Sequence, residues 1–223
     1  MKKLLLINPN TSSATTSGML AVAAEEAAGL IEIEGATVGR GPLMVVDSAG
    51  LQTAADAVGE LVAATDLSSY AGIIIGGFGD PGLERVRGRI CVPATGIAEA
   101  AFSEAAAGGR RFSVVMTAPG LVAAIEARAA TYGCRAQLAR IHVVCQGAAR
   151  PSGPDAVQAA VHAACEAAIR EDGIDAVVIG GGPLAPVARR LRSLLAVPVV
   201  EPIPASVRLA LARAQQGAPA VAQ

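Results

Sequence analysis

The sequence predicts an α/β fold of two similar lobes, each built on a parallel sheet flanked by helices. Short apolar, β-branched runs at 73–75 and 177–179 alternate with longer stretches of helical periodicity along the chain. Both runs end in glycines, Gly76-Gly77 and Gly180-Gly181. Because strands that alternate with helices favour parallel sheets, the repeated pattern indicates two halves related by a pseudo-two-fold axis.

The first half predicts four strands and four helices. The strands lie at 3–7, 31–38, 72–75 and 91–95, and the helices at 11–29, 51–66, 82–87 and 97–107. Thr11, Ser12 or Ser13 can cap the first helix, and Gly29 can end it. Pro93 places the fourth strand near an edge or at a strand start. We assign residues 1–109 to an N-terminal lobe.

The second half repeats this order. Its strands lie at 112–117, 137–144, 175–179 and 197–200, and its helices at 120–132, 155–171, 184–195 and 203–214. Pro119 starts the first of these helices and Gly133 follows its end. We assign residues 110–223 to a C-terminal lobe whose last helix or tail can cross to the other lobe.

Composition excludes several classes of function. The net charge is −1 and aromatic residues make up 2%, which argues against a nucleic-acid partner. Asn8 and Pro9 cut the N-terminal apolar run short, and no apolar run reaches the ~18–20 residues of a membrane span. We therefore expect a cytoplasmic chain with no membrane partner.

The cysteines and histidines form no metal site in the sequence. None of the 4 cysteines forms a CxxC pair, and the 2 histidines, His142 on a strand and His162 on a helix, are far apart. The cysteines, at 91, 134, 145 and 165, are expected to be buried free thiols. No P-loop and no GxGxxG motif is present, so we predict neither metal nor cofactor.

Four loops follow strands that are expected to meet at one cleft. Ligands of parallel sheets bind beyond the carboxyl ends of the strands. The first strand of each half is followed by small polar residues, Asn10 and Thr11 in one half and Thr117 in the other. The third strands lead into the glycine loops, whose free backbone N–H groups can face an anion. Glycine at such turns also serves helix–sheet packing, so one loop alone does not decide between the two roles.

Three motifs resemble the hydantoin racemase branch of the aspartate/glutamate racemase superfamily. They are Asn-Pro-Asn-Thr at 8–11, Phe-Gly-Asp-Pro-Gly at 78–82 and Pro-Ala-Thr-Gly-Ile-Ala-Glu-Ala at 93–100. The resemblance covers nearly the whole chain. It implies two pseudo-symmetric lobes, a site between them, chemistry without a cofactor, and assembly into a homo-oligomer. The superfamily contains racemases, maleate isomerases and arylmalonate decarboxylases.

The resemblance also implies two catalytic cysteines, one in each lobe, that remove and return the α-proton. This chain has Gly77 and Gly181 at those positions. Two-thiol racemisation therefore cannot run here, and a one-thiol decarboxylase also lacks its proton donor. What remains is a set of backbone N–H groups, with Asn10 and Thr117, that can bind a carboxylate or cyclic ureide and stabilise an enolate-like charge. The predicted contacts are Asn10, Thr11, Gly77, Phe78, Gly79, Thr117, Gly181 and Gly182. Loss of two side chains also predicts a wider cleft.

Two functions stay open at this point. The first is a cofactor-independent isomerase or lyase with a different acid/base, for which Asp80, Asp47 and Glu201 are candidates. Asp80 is also typical of a turn or cap, Asp47 of a surface loop that acts as a lid, and Glu201 of a solvated position. The second is a degenerate, inactive homologue that binds a small anionic ligand.

Overall fold

The computed structural model describes residues 2–144 and 153–216 of the chain. It contains eight strands and eight α-helices in this described part. The strands are β1 (Lys3–Asn8), β2 (Ile33–Thr37), β3 (Tyr70–Ile75), β4 (Ala94–Gly96), β5 (Phe112–Met116), β6 (Leu138–Val143), β7 (Ala176–Ile179) and β8 (Val199–Val200). The helices are α1 (Ser13–Ala27), α2 (Ser48–Ala64), α3 (Leu83–Arg87), α4 (Ile97–Ala105), α5 (Val122–Thr131), α6 (Pro154–Asp172), α7 (Ala185–Leu191) and α8 (Pro202–Gln216).

The strands form two four-stranded sheets of identical topology. One has the order β2-β1-β3-β4 and the other β6-β5-β7-β8, and every pairing is parallel. The central strands are paired in equivalent registers, with Ile7 beside Ile75 in the first sheet and Val115 beside Ile179 in the second. The predicted α/β fold of two parallel-sheet lobes is confirmed.

Local signals explain where the helices begin and end. Ser12 caps α1 and its side chain accepts a hydrogen bond from the backbone N–H of Thr15. Asp47 does the same for α2 by accepting from Gly50 N–H. Gly173, with φ 60°, ends α6 in the left-handed region that glycine tolerates.

Some predicted boundaries in both halves are wrong. Strand β4 begins only at Ala94, so Cys91 lies in a loop and is exposed, contrary to the expectation that it is buried. Helix α7 ends at Leu191, because the chain turns there and Leu194 N–H bonds to the carbonyl of Leu191. Cys145 and most of the Gly/Pro/Ser-rich loop at 147–154 fall outside the described residues.

Two helices pack against the opposite half of the chain. Helix α8 packs against α1, α4 and the strands β3 and β4 of the first sheet, whereas α4 also contacts β7 and β8 of the second sheet. Phe102 of α4 lies at the centre, with its ring 5.8 Å from that of Phe78 and 5.4 Å from that of Phe112. Helix α8, from the second half of the chain, therefore packs on elements of the first half. The division into lobes at residues 109 and 110 stays a prediction.

The described helices set one limit on cellular placement. None of them is long and apolar enough to cross a membrane.

Candidate functional site

A cleft lies where the carboxyl ends of the two sheets face each other. Its volume is about 80 Å³, well below the roughly 300–1,000 Å³ of typical ligand pockets, so it has room only for a small ligand. Loops after β1, β3, β5 and β7 all contribute to it, as the pseudo-symmetry predicts. The lining includes Pro9, Asn10, Gly76, Gly77, Phe78, Pro81, Met116, Thr117, Ala118, Gly180, Gly181, Gly182 and Pro183.

Backbone N–H groups supply the polar character of this cleft. Those of Gly77, Phe78, Gly181 and Gly182 have no protein acceptor among residues 2–144 and 153–216. Neighbouring N–H groups are satisfied, since Gly76 bonds to the carbonyl of Ile7 at 2.8 Å and Gly180 to that of Val115 at 2.9 Å. Folded proteins seldom leave such donors unpaired. The two glycine loops can therefore donate to a ligand oxygen.

The Asn-Pro-Asn-Thr motif builds the floor of the cleft through a buried amide. Asn8 is fully buried, and its Nδ2 donates to Asn10 Oδ1, the Ser12 carbonyl and Thr16 Oγ1 at 2.9–3.0 Å. Asn10 Oδ1 also accepts from Ser12 N–H at 2.9 Å. The two hydrogen bonds that Asn10 Oδ1 accepts fix the orientation of its amide group. The Nδ2 of Asn10 donates to no acceptor in the described chain. Asn10 therefore presents a positioned donor.

The two glycines at the implied cysteine positions differ in their surroundings. A β-carbon on Gly77 would lie 2.7 Å from Cγ of Pro9 and 2.9 Å from Cδ of Pro81. A β-carbon on Gly181 would meet nothing within 4 Å, but this residue has φ +113°, which side-chain-bearing residues rarely adopt. Two proline rings therefore fill the space beside Gly77, whereas the space beside Gly181 is open. The wider cleft stays a prediction.

Comparison with known proteins places this geometry in a family. The Asp/Glu/Hydantoin racemase family model matches residues 4–210. The chain belongs to the Asp/Glu/hydantoin racemase family. It is 30% identical over 210 residues to the hydantoin racemase of Paenarthrobacter aurescens, covering 93% of this chain and 89% of that protein.

Solved structures agree with this assignment. The allantoin racemase from Klebsiella pneumoniae has a TM-score of 0.90 and 32% identity, and the match covers 98% of this chain and 90% of that one. The allantoin racemase from Pseudomonas fluorescens also has a TM-score of 0.90, with 29% identity, over 98% and 94% of the two chains. This racemase-family chain is thus similar to the hydantoin and allantoin racemases along nearly its whole length.

Asp80 does not line the cleft of this racemase-family chain. Its carboxylate is fully buried and accepts hydrogen bonds from Ala98 N–H at 2.9 Å, Glu99 N–H at 2.8 Å and the Tyr132 hydroxyl at 2.7 Å. Burial raises the pKa of Asp80 to about 6, although the three donors favour the carboxylate. Asp80 therefore caps α4 and joins it to α5, and the structure does not bring it to the cleft as a base.

Four other residues predicted for the site lie beside the cleft and do not line it. Asp47 caps α2 and forms an isolated bridge with Gly120 of the second half, so it does not face the cleft. Thr11 bonds to the carbonyl of Pro42 through its N–H and hydroxyl, and Gly79 accepts from Arg128 Nε at 2.8 Å. Neither lines the cleft. Glu201 lies behind the Gly181 loop and is 4% exposed, contrary to a solvated position.

The described cysteines and histidines lie away from the cleft. Burial raises the pKa of the Cys165 thiol to about 12 and also raises the pKa of Cys134, so both groups stay protonated near neutral pH and supply no thiolate. His142, as predicted, lies on a strand, and its Nε2 is 2.6 Å from an oxygen of Asp172. No group of three or more metal-ligating side chains occurs among residues 2–144 and 153–216.

Sequence reasoning missed the wall of the cleft. This wall is formed by Thr15, Met44, Val45, Leu51 and Leu121. Thr15 belongs to the first turn of α1, whereas Met44 and Val45 precede α2 in the segment expected to act as a lid. Of all the side chains that line the cleft in the described chain, none is ionisable. A contact between a loop and a distant helix leaves no local pattern in the sequence. Of the wall residues, only Thr15 could have been predicted, because it lies at the start of α1, close to Asn10.

Proposed function

We propose that this chain binds a small carboxylate or cyclic ureide in the cleft between its lobes and acts on it as a cofactor-independent isomerase or lyase without thiol chemistry at positions 77 and 181. The observation that carries the proposal is the set of unpaired N–H groups on Gly77, Phe78, Gly181 and Gly182. Donors aimed at one small cavity stabilise the negative oxygen of a carboxylate or an enolate. Its relatives named as hydantoin and allantoin racemases support the cyclic ureide as substrate class.

The reaction class follows from what the described cleft contains. Removal of a proton next to a carbonyl group places charge on the carbonyl oxygen, and loss of carbon dioxide from a carboxylate does the same. N–H donors in a cavity with an apolar wall favour both reactions, because the interaction between an N–H group and a negative oxygen is stronger where water is excluded. Gly77 and Gly181 contribute neither a proton acceptor nor a proton donor. Proton removal therefore needs another acceptor, and the enolate left by loss of carbon dioxide needs another donor.

A second function has an observation in its favour. None of the described side chains that line the cleft is ionisable. A protein that binds the same ligand without turning it over needs only the N–H groups, Asn10 and Thr117. This binding function is the alternative to the enzyme.

Proton NMR in deuterated water separates the two functions. The panel contains 5-methylhydantoin, 5-benzylhydantoin, allantoin, aspartate, glutamate, maleate and phenylmalonate, each also followed without protein to subtract spontaneous exchange. Loss of the α-proton signal, inversion or a new product above that background supports the enzyme. Saturable binding of a panel member by calorimetry without any turnover supports the binding function. Neither binding nor turnover of any member rejects the proposed ligand class.

Thr117→Val tests the cleft itself. Thr117 lines the cavity, its hydroxyl makes no hydrogen bond within residues 2–144 and 153–216, and valine keeps its shape. Loss of one neutral hydrogen bond of about 1 kcal/mol lowers ligand affinity roughly fivefold. Thr131→Val, on the exposed surface of α5, is the matched control and should leave the affinity unchanged. Equal affinities for all three proteins would place the ligand elsewhere.

A further inference from the structure

Behind the Gly181 loop lies a second, much smaller cavity. Its volume is about 10 Å³, and its walls include Gly181, Gly182, Ile97, Ile203 and Glu201. Gly181 and Gly182 also line the main cleft, so this loop separates the two spaces. A cavity of about 10–15 Å³ is the least that holds one water, provided that polar partners are present. We call it the Glu201 chamber.

Glu201 brings a buried carboxylate to this chamber. Its two nearest cationic partners stand at the outer limit of a hydrogen bond or beyond it, with Arg189 Nε at 3.4 Å and Arg192 Nη1 at 3.6 Å. Arg189 is shared with Glu25 of α1, and Arg192 is largely exposed. These guanidinium groups offset the cost of burying the charge but leave carboxylate lone pairs unused.

Helix α8 does not use those lone pairs either. Glu201 directly precedes α8, whose residues Pro202 and Pro204 have no N–H group to donate. The N–H of Ile203 makes no hydrogen bond to the carboxylate. In the other half, the Asp80 carboxylate is saturated by α4 and Tyr132. Asp80 is a helix cap, whereas Glu201 is a buried carboxylate with free acceptor capacity beside the glycine loop.

We propose that Glu201 is the proton acceptor of the cleft and acts through one water held between its carboxylate and the Gly181-Gly182 loop. This inference rests on the proposed function and supplies the acceptor that it requires. A carboxylate that reaches a substrate proton through one water is an accepted form of general base. Gly181 and Gly182 line both the chamber and the main cleft, and neither has a side chain that would stand between that water and the ligand.

The proton transfer balances without any other reactant. The C–H bond next to the carbonyl group breaks, and its proton passes to the chamber water as that water gives a proton to Glu201. The electron pair moves to the carbonyl oxygen, which the N–H groups of the glycine loops stabilise. Return of a solvent proton to the same face gives exchange with retention. Inversion needs a proton from the opposite face, where Gly77 has no acid and Pro9 and Pro81 fill the space.

This asymmetry predicts that solvent exchange is faster than inversion. Deuterium incorporation into one enantiomer of 5-benzylhydantoin or allantoin is followed by NMR, and inversion by circular dichroism on the same sample. Glu201→Gln should lower the exchange rate at least 100-fold, which is the low end for loss of a general base. The matched control is Glu25→Gln, which removes the other carboxylate on Arg189 and should keep the rate.

Each outcome decides for or against the inference. Unchanged exchange in Glu201→Gln, with wild-type activity present, overturns the role of Glu201 while the proposed function stands. Wild-type silence on the panel rejects the proposed substrates, and a crystal structure then tests Glu201 separately. An ordered water that bridges the Glu201 carboxylate and the Gly181-Gly182 loop, and is lost in Glu201→Gln, supports the inference. A dry chamber sealed from the cleft overturns it. Thermal melting and circular dichroism verify that the variant is folded.

Discussion

Substitution of Gly77 should reveal that this loop is closed to any side chain. A β-carbon there would come within 2.9 Å of two proline rings, Pro9 and Pro81, whereas carbon atoms in contact normally lie about 3.5–4.0 Å apart. Both rings are rigid, so the loop itself must shift. Overpacking of this kind costs about 1–3 kcal/mol, and the lower entropy of the unfolded chain returns about 0.4–1 kcal/mol. Gly77→Ala should therefore lose about 1–2 kcal/mol of unfolding free energy.

Denaturant unfolding and thermal melting measure this loss. For a chain of this size, 1–2 kcal/mol lowers Tm by roughly 2–8 °C. Gly182→Ala is the matched control, because its β-carbon would be 3.5 Å from Met19 Sδ, an ordinary contact. We expect that control to melt about 1–4 °C above the wild type, because alanine fits there without strain and the lower entropy of the unfolded chain adds about 0.4–1 kcal/mol of stability.

Side-chain size separates a clash from backbone strain. At Gly77 the cost should grow from Ala to Val, because each added methyl group meets the same rings. At Gly181 the cost arises from φ +113°, about 1–3 kcal/mol for a non-glycine residue, and Ala and Ser should cost the same. A Gly77→Ala variant as stable as Gly182→Ala, or a Gly77 series independent of size, would refute the steric reasoning.

Two further predictions concern the buried carboxylates that support the cleft. Burial raises the pKa of Asp80 to about 6, so its stabilising contribution is complete below pH 4 and declines by about 3 kcal/mol in total as the pH rises through 6. The difference in unfolding free energy between the wild type and Asp80→Asn, measured by denaturant unfolding, should therefore narrow from pH 4 to pH 7. A difference that stays constant over this range would contradict the raised pKa. Burial opposes ionisation of Glu99, but hydrogen bonds from Arg213 and Arg87 outweigh it and hold its pKa below the usual range. Glu99→Gln should therefore lose about 3 kcal/mol of unfolding free energy near neutral pH, and this loss should shrink as acid protonates the wild-type carboxylate. The control Glu84→Gln, at an exposed carboxylate, should change stability by less than 0.5 kcal/mol. Equal stability of the two variants would show that the ion pairs of Glu99 contribute no more than an exposed ion pair.

The sequence predicts those features that arise from local patterns. The runs at 73–75 and 177–179 are buried strands because apolar, β-branched residues are continuous there, and the glycines after them fall at the cleft because parallel strands share one edge. Packing between distant elements leaves no such pattern. Asp80 is read from its motif as a loop residue, but its burial depends on α4 and on Tyr132, which lies in the other half of the chain. The apolar wall around Leu51 is missed for the same reason.

The duplication also lets the two halves be compared position by position, and they place their carboxylates differently. Each half has two equivalent positions from which a side-chain carboxylate can reach the start of a helix. One position follows the third strand of that half and the other follows the fourth. The first half uses the earlier position, Asp80, and keeps Gly96 small, because a β-carbon there would lie 2.2 Å from Cγ of Asp80. The second half has Leu184 at the earlier position and Glu201 at the later one. In the first half, the carboxylate of Asp80 is hydrogen-bonded to the start of α4, and prolines pack around Gly77. The second leaves acceptor capacity beside an open Gly181, so two lobes of equal topology provide unequal halves of one site.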